Sequence, residues 1–206
     1  LIVDLASQFI LLDSDLIDGA IDEAQHQIVD ALDLDRSTLY QFADDGSIRI
    51  SHSWVRPEFR AVAPMVGAYR FQRFPAAASA LLGGEVFAMS SLDELPPDSI
   101  ELRHFVETGT KSTVAVPLVI SDRVIGVLAF AAHRNERQWP PELVKRFSIV
   151  GHIVANALAR QRTERELKAT LAENVRLRES LTQENVYLRR EMKARDGWSE
   201  IAGQGA

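Results

Sequence analysis

The 206 residues contain no cysteine. That absence excludes disulfides, thiolate metal sites and a thioether-linked chromophore on this stretch of chain, and it is compatible with a reducing compartment. No apolar run approaches the ~20 residues that span a bilayer, and no signal-peptide pattern precedes the first amphipathic stretch. A cytoplasmic protein without a membrane partner is expected. There is no Gly-rich phosphate loop of the P-loop or Rossmann kind and no Gly-x-Ser-x-Gly elbow. The histidines, at 26, 52, 104, 133 and 152, are scattered. Glu23 and His26 have the Glu-x-x-His spacing of di-iron bundles, but those sites need a second such motif and two further carboxylates, and none is found. No catalytic residues and no metal ligands are therefore assigned, and an enzyme is not expected.

One sign of charge is also scarce in part of the chain. Residues 1–159 carry 13 Lys and Arg against 21 Asp and Glu, whereas residues 160–195 carry 10 against 6. The acidic body argues against nucleic-acid binding, and the mixed signs of the basic stretch suit a solvated helix. No direct nucleic-acid contact is expected.

What is present begins with 46% hydrophobic residues, enough for one domain with a core plus an appendage. Leu1, Leu5, Phe9 and Leu12 follow a helical period. After Asp13–Ser14–Asp15, a second helix shows Ile17, Ile21, Ala24, Ile28, Ala31 and Leu32 on one face. Strands are predicted at 37–43 and 47–54, around the turn Asp44–Asp45–Gly46. A short helix over 75–82 starts at Pro75 and stops at Gly83–Gly84, and a short strand covers 85–89. A helix over 100–108 precedes Gly109. Two β-branched runs, 113–120 and 124–131, form a hairpin. Within it Pro117 implies an edge or a bulge, and Gly126 implies close approach to another backbone.

Trp139–Pro140–Pro141 opens the last element, whose core stripe is Leu143, Phe147, Val150, Val154 and Ala157. Neither Gly nor Pro occurs from His152 to Asp196, so a helix to about Arg195 is predicted. About 55 residues at ~1.5 Å each give roughly 80 Å, more than one domain covers. A 3–4 spacing runs through Leu167, Leu171, Asn174, Arg178, Leu181, Asn185, Leu188 and Met192. The polar seam positions leave two readings open, a parallel dimer with a register-setting Asn or a solvated single helix. The fold class expected is α+β: a central antiparallel sheet flanked by helices, with a long C-terminal coiled-coil helix.

Several motifs, in order, resemble a GAF domain: Gly84–Glu85, the Ser91–Pro97 loop, Val114–Leu118 paired with Val124–Val127, Arg137–Leu143, and Ala155–Ala159. The tail, Leu181–Glu191 followed by Trp198–Gln204, resembles the linker into the AAA+ ATPase of sigma-54-dependent activators. These resemblances imply a GAF sensor domain at 1–159, a signalling linker at 160–196 and the start of an output domain at 197–206. They also imply a homodimer through Leu167, Leu171, Leu181, Asn185 and Leu188, with the ATPase as covalent partner. The same GAF pattern resembles domains upstream of histidine kinases, and a ligand-free dimerisation scaffold is a third reading.

The aromatic-rich segment and the central sheet are where GAF domains hold ligands. His52, Trp54, Arg70, Phe71, Phe74, Phe87, His104 and Val116 are the candidate pocket residues. An apolar pocket with few polar groups is how small ligands are held, and an arginine there suits a carboxylate or phosphate. For each residue the bland alternative is plain core packing or a surface side chain. An unidentified small molecule is the expected cofactor. A covalent bilin is excluded for want of cysteine, and haem is set aside because a lone His104 supports it weakly. The Ala131–Arg137 stretch does not match the cyclic-nucleotide signature.

Overall fold

The computed structural model describes residues 9, 12–43, 45–60 and 69–202, side chains excepted at 69, 70, 72 and 189–202. The predicted entry helix over 1–12 lies outside the described residues save Phe9 and Leu12. The chain divides into two units, Leu1–Gln161 and Arg162–Ala206. In order, the elements are α1 (Ile17–Ala31), β1 (Arg36–Phe42), β2 (Ser47–Val55), β3 (Tyr69–Arg70), α2 (Pro75–Leu82), β4 (Phe87–Met89), α3 (Ile100–Glu107), β5 (Ser112–Ile120), β6 (Arg123–Ala132) and α4 (Pro141–Ala202).

Six strands form one sheet in the order β3-β2-β1-β6-β5-β4, with every neighbouring pair antiparallel. The α+β reading holds, and the two-residue β3 is the addition to it. On one face of the sheet α1 and α4 bury Ile17, Ile21, Ala24, Ile28, Phe147, Val150 and Val154 against Leu39, Val114, Val116, Leu118, Leu128 and Phe130. Phe130 and Phe147 stack at 4.4 Å. On the other face α2 sets Ala77, Ala78 and Leu81 against Ile48, Ala115 and Val127. Burial of these side chains is the main source of stability, at roughly 25 cal/mol per Å² of apolar surface.

Local chemistry explains the turns. Gly46 has φ 76 in the first hairpin, and Asp45 Oδ1 accepts from the Ser47 backbone N–H at 2.9 Å. The β5–β6 hairpin closes through Ser121 and Asp122, both at positive φ, the geometry of a two-residue primed turn. Pro117 is tolerated because β4 pairs only with Thr113–Ala115, which leaves β5 an edge at that point, and a bulge follows at Leu118/Val119. Gly126 is required: a Cβ there would collide with the Tyr40 carbonyl oxygen.

One buried carboxylate ties the corners of the first unit together. Asp35 is 1% exposed. Its Oδ2 accepts from the backbone N–H of His133 at 2.7 Å and of Arg134 at 3.0 Å, and its Oδ1 accepts from Arg134 Nε at 2.6 Å. Arg134 also binds Asp33 Oδ1 at 2.7 Å and holds that exposed carboxyl below the usual range. The α1–β1 corner is thereby clamped to the segment that leads from β6 into α4.

Candidate functional site

Side chains alternate across a strand, and in β5 and β6 the alternation is also one of size. Val114, Val116, Leu128 and Phe130 point toward α4, whereas Thr113, Ala115, Ala129 and Ala131 point the other way. The small set leaves space under α2 and α3. A cavity of about 110 Å³ lies there. Its floor is Thr113, Ala115, Val127, Ala129 and Ala131, with Arg36, Thr38 and Tyr40 supplied by β1. Its walls are Phe71, Phe74, Leu81 and Phe87 on one side, and Glu101, His104, Phe105, Thr108 and Thr110 on the other.

The polar groups of this cavity are buried. Arg36 is 7% exposed and burial pushes its guanidinium pKa down. Glu101 is 1% exposed, and its Oε1 accepts from the Ala76 backbone N–H at 2.7 Å. It therefore satisfies an open donor at the N-terminus of α2. His104 rests against Phe74 with ring centroids 4.9 Å apart. Burial, then the charge of Arg73, lower its pKa and favour the neutral ring. Thr108 Oγ1 donates to the His104 carbonyl at 2.9 Å and lies 3.0 Å from Thr110 Oγ1.

Behind His104, His133 is also buried. Its Nδ1 lies 3.1 Å from the Gly109 carbonyl, which can only accept, so Nδ1 carries the proton. Burial lowers its pKa, and Gly109 acts in the opposite direction. Larger depressions of about 400 and 470 Å³ touch α4, but no buried charge lines either of them.

Of the residues proposed from sequence, Phe71, Phe74, Phe87 and His104 come together in this cavity. Val116 does not: it is packed in the core against α4. His52 and Trp54 do share a side, but it is the α1 side. His52 Nε2 lies 3.5 Å from Asp18 Oδ1, and Trp54 stacks on His26 at 4.8 Å. The cause is a bulge at Ser51. Leu39 pairs with His52 while Tyr40 pairs with Ile50, so the faces of β2 exchange at that residue. The Arg70 side chain lies outside the described residues. The sequence reading missed Arg36, Thr38, Glu101 and the threonines. The alternation of small and large residues in Val114–Val116 and Leu128–Ala131 was the available signal for the floor. Among the described residues no group of three or more His, Cys, Asp or Glu could hold a metal ion, and His26 instead lies 3.0 Å from Asp30. No helix among them is long and apolar enough to cross a membrane.

A family model described as "GAF domain" matches residues 16–160. The chain belongs to the GAF domain family. No curated protein matches it. Solved structures do. A phycocyanobilin-bound GAF domain from a cyanobacterial phytochrome is similar at TM-score 0.66 and 17% identity, over 80% of this chain and 97% of that one. A phycoerythrobilin-bound GAF domain from a cyanobacterial phytochrome gives 0.66 at 16% identity, over 80% and 97%. The GAF domain region of a protein from Geobacter sulfurreducens PCA gives 0.60 at 11% identity, over 69% and 93%. At these identities the likeness establishes the GAF fold.

These comparisons correct the expected cofactor, an unidentified small molecule with bilins excluded as covalent groups and haem set aside. Bilin-bound GAF domains are among the structures that this chain resembles. The missing cysteine bears on one attachment chemistry and does not decide what the fold accommodates.

Proposed function

We propose that this GAF domain is the sensory and dimerising part of a cytoplasmic transcriptional regulator. It reads a ligand in the Arg36 cavity and passes the result along α4 to a sigma-54-type AAA+ ATPase. The observation that carries the sensory reading is the sharing of two strands. The floor residues Ala115, Ala129 and Ala131 interleave with Val116, Leu128 and Phe130, which seat α4. A ligand that displaces the floor therefore acts on that seat, provided it binds the two arrangements with different affinity. On this reading the domain is regulatory and non-catalytic, and contacts no nucleic acid itself. A scaffold with a filled centre is less well supported, because the floor is built of small residues.

The dimer is proposed through α4. Leu167, Leu171, Leu181 and Leu188 are 49–64% exposed on the single chain. On this reading they make, with Asn174 and Asn185, the 3–4 spaced seam of a two-stranded coiled coil with a second copy of the chain. The output assignment rests on the tail motif Leu181–Glu191 and Trp198–Gln204. Residues 1–159, 160–196 and 197–206 then serve as sensor, linker and lead-in. ATP hydrolysis by the full-length protein, as against histidine phosphorylation, separates an activator from a kinase.

Native mass spectrometry of the purified chain, followed by denaturation, tests the reading. A dimer carrying a mass excess that vanishes on denaturation is the expected result. A bare monomer at micromolar concentration contradicts the dimerising role, and a dimer without a mass excess is either an empty sensor or a ligand-free scaffold, which ligand titration separates.

A further inference from the structure

Rows of paired residues cross the cavity floor, and the register orders them by polarity. The first row is Arg36, Ala131 and Thr113, on β1, β6 and β5. The second is Thr38, Ala129 and Ala115, and the third begins with Tyr40 and Val127. Successive rows stand ~6.6 Å apart, two residues along each strand. The cavity floor therefore has a cationic end at Arg36, an apolar stretch at Ala129 and Ala115 one row away, and Val127 a further row on, ~13 Å from the Arg36 row.

Among the described lining residues Arg36 is the one arginine or lysine, and the buried Glu101 is the one carboxylate. His104 and His133 both feel Arg36 and are held toward their neutral forms, with burial the main cause in each. The N-terminus of α2, which would otherwise attract an anion, has its Ala76 N–H taken by Glu101. The Thr108 and Thr113 hydroxyls donate to the carbonyls of His104 and Phe130 at 2.9 Å each. A dianionic phosphate would lack a second cation, whereas a carboxylate matches one guanidinium fork. The size sets a limit: this cavity is about 110 Å³, below the roughly 150 Å³ of an apolar cavity that takes benzene, so the apolar body can be no larger than one ring.

We infer that the cavity binds a monocarboxylate with a single-ring or similarly compact apolar body, its carboxylate on Arg36 and its body over Ala115 and Ala129. The inference rests on the cavity's being the sensory site, as proposed above.

Isothermal titration of the 206-residue chain with benzoate, benzyl alcohol and phycocyanobilin tests it. Benzoate is expected to bind about tenfold or more tighter than the neutral alcohol, the scale of a charge-assisted hydrogen bond. Arg36→Met should abolish that preference while leaving the alcohol's affinity unchanged. Arg36→Lys, which keeps the charge, should retain part of it, and Ala129→Leu should exclude both one-ring probes. Equal affinity for benzoate and benzyl alcohol overturns the carboxylate assignment and leaves the cavity as a ligand site. Binding of phycocyanobilin alone overturns the size. Binding of none of the three removes this inference together with the sensory reading beneath it. The last three outcomes are read on the unsubstituted chain, so they do not depend on a variant folding.

Discussion

Replacing Asp35 with alanine should destabilise the domain by about 2–6 kcal/mol, about 1–3 kcal/mol for each of two backbone donors left without an acceptor. The magnitude follows from what is left behind. Two backbone donors, the N–H groups of His133 and Arg134, lose their acceptor. A buried unsatisfied donor costs about 1–3 kcal/mol. The Arg134 side chain is 38% exposed, so water replaces Asp35 there and the ion pair itself adds little, ~0–1 kcal/mol. Asp35→Asn keeps one acceptor oxygen and should cost about half as much as the alanine. Arg134→Ala, which leaves the carboxylate on both backbone donors, should cost about 1 kcal/mol. Urea unfolding at fixed protein concentration reads all three, since a dimer's stability depends on concentration. If Arg134→Ala is as damaging as Asp35→Ala, the carboxylate serves the ion pair and the backbone-clamp argument is wrong. A loss under about 1 kcal/mol for Asp35→Ala would refute it as well.

Other perturbations follow from the same geometry. His104 and His133 have pKa values below the usual 6.5, so below about pH 6.5 the unfolded chain binds more protons than the folded one. Their contribution is complete above that pH and is lost as pH falls toward the depressed folded values. Urea midpoints between pH 8 and pH 5 should decline, and His133→Gln should flatten the decline. Leu181→Ala with Leu188→Ala should weaken dimerisation on the order of 100-fold or more, and a variant that sediments as a full dimer would remove the seam. Gly126→Ala should cost about 1–3 kcal/mol, because rigid Tyr40 backbone stands in the way. Gly151→Ala should stay within about 1 kcal/mol of the parent in the same melts: its Cβ meets a side-chain atom, Val116 Cγ2, at 3.1 Å, with backbone no nearer than 3.6 Å, and the gain in helix propensity offsets the contact.

Much of the fold was legible because it is written in local patterns. The Ile17–Ile28 stripe, the Gly46 turn and the β5–β6 hairpin each follow from a few neighbouring residues. The absence of Gly and Pro from His152 to Asp196 predicted a helix to about Arg195, and the helix continues to Ala202, past Gly197. The site was legible only in part. Aromatic density drew attention to Phe71, Phe74 and Phe87, but density does not say which face of a sheet a residue occupies. A single unpaired residue, Ser51, moved His52 and Trp54 to the α1 side, and nothing in Arg49–Ser53 announces a bulge. Glu101 reads as a first-turn acid suited to its own helix dipole. Its actual partner, Ala76 on α2, is fixed by tertiary packing. β3 escaped because two residues carry no period.

The division of β5 and β6 into a small-residue face and a large-residue face has a consequence for descent. Residues 115, 129 and 131 can drift among alanine, glycine, serine and valine by single-base changes, and each step resizes the chamber without altering a side chain that α4 rests on. If the cavity is the sensory site proposed above, a lineage can retune what it detects while keeping the seat of α4, because the two are stored on opposite parities of the same strands.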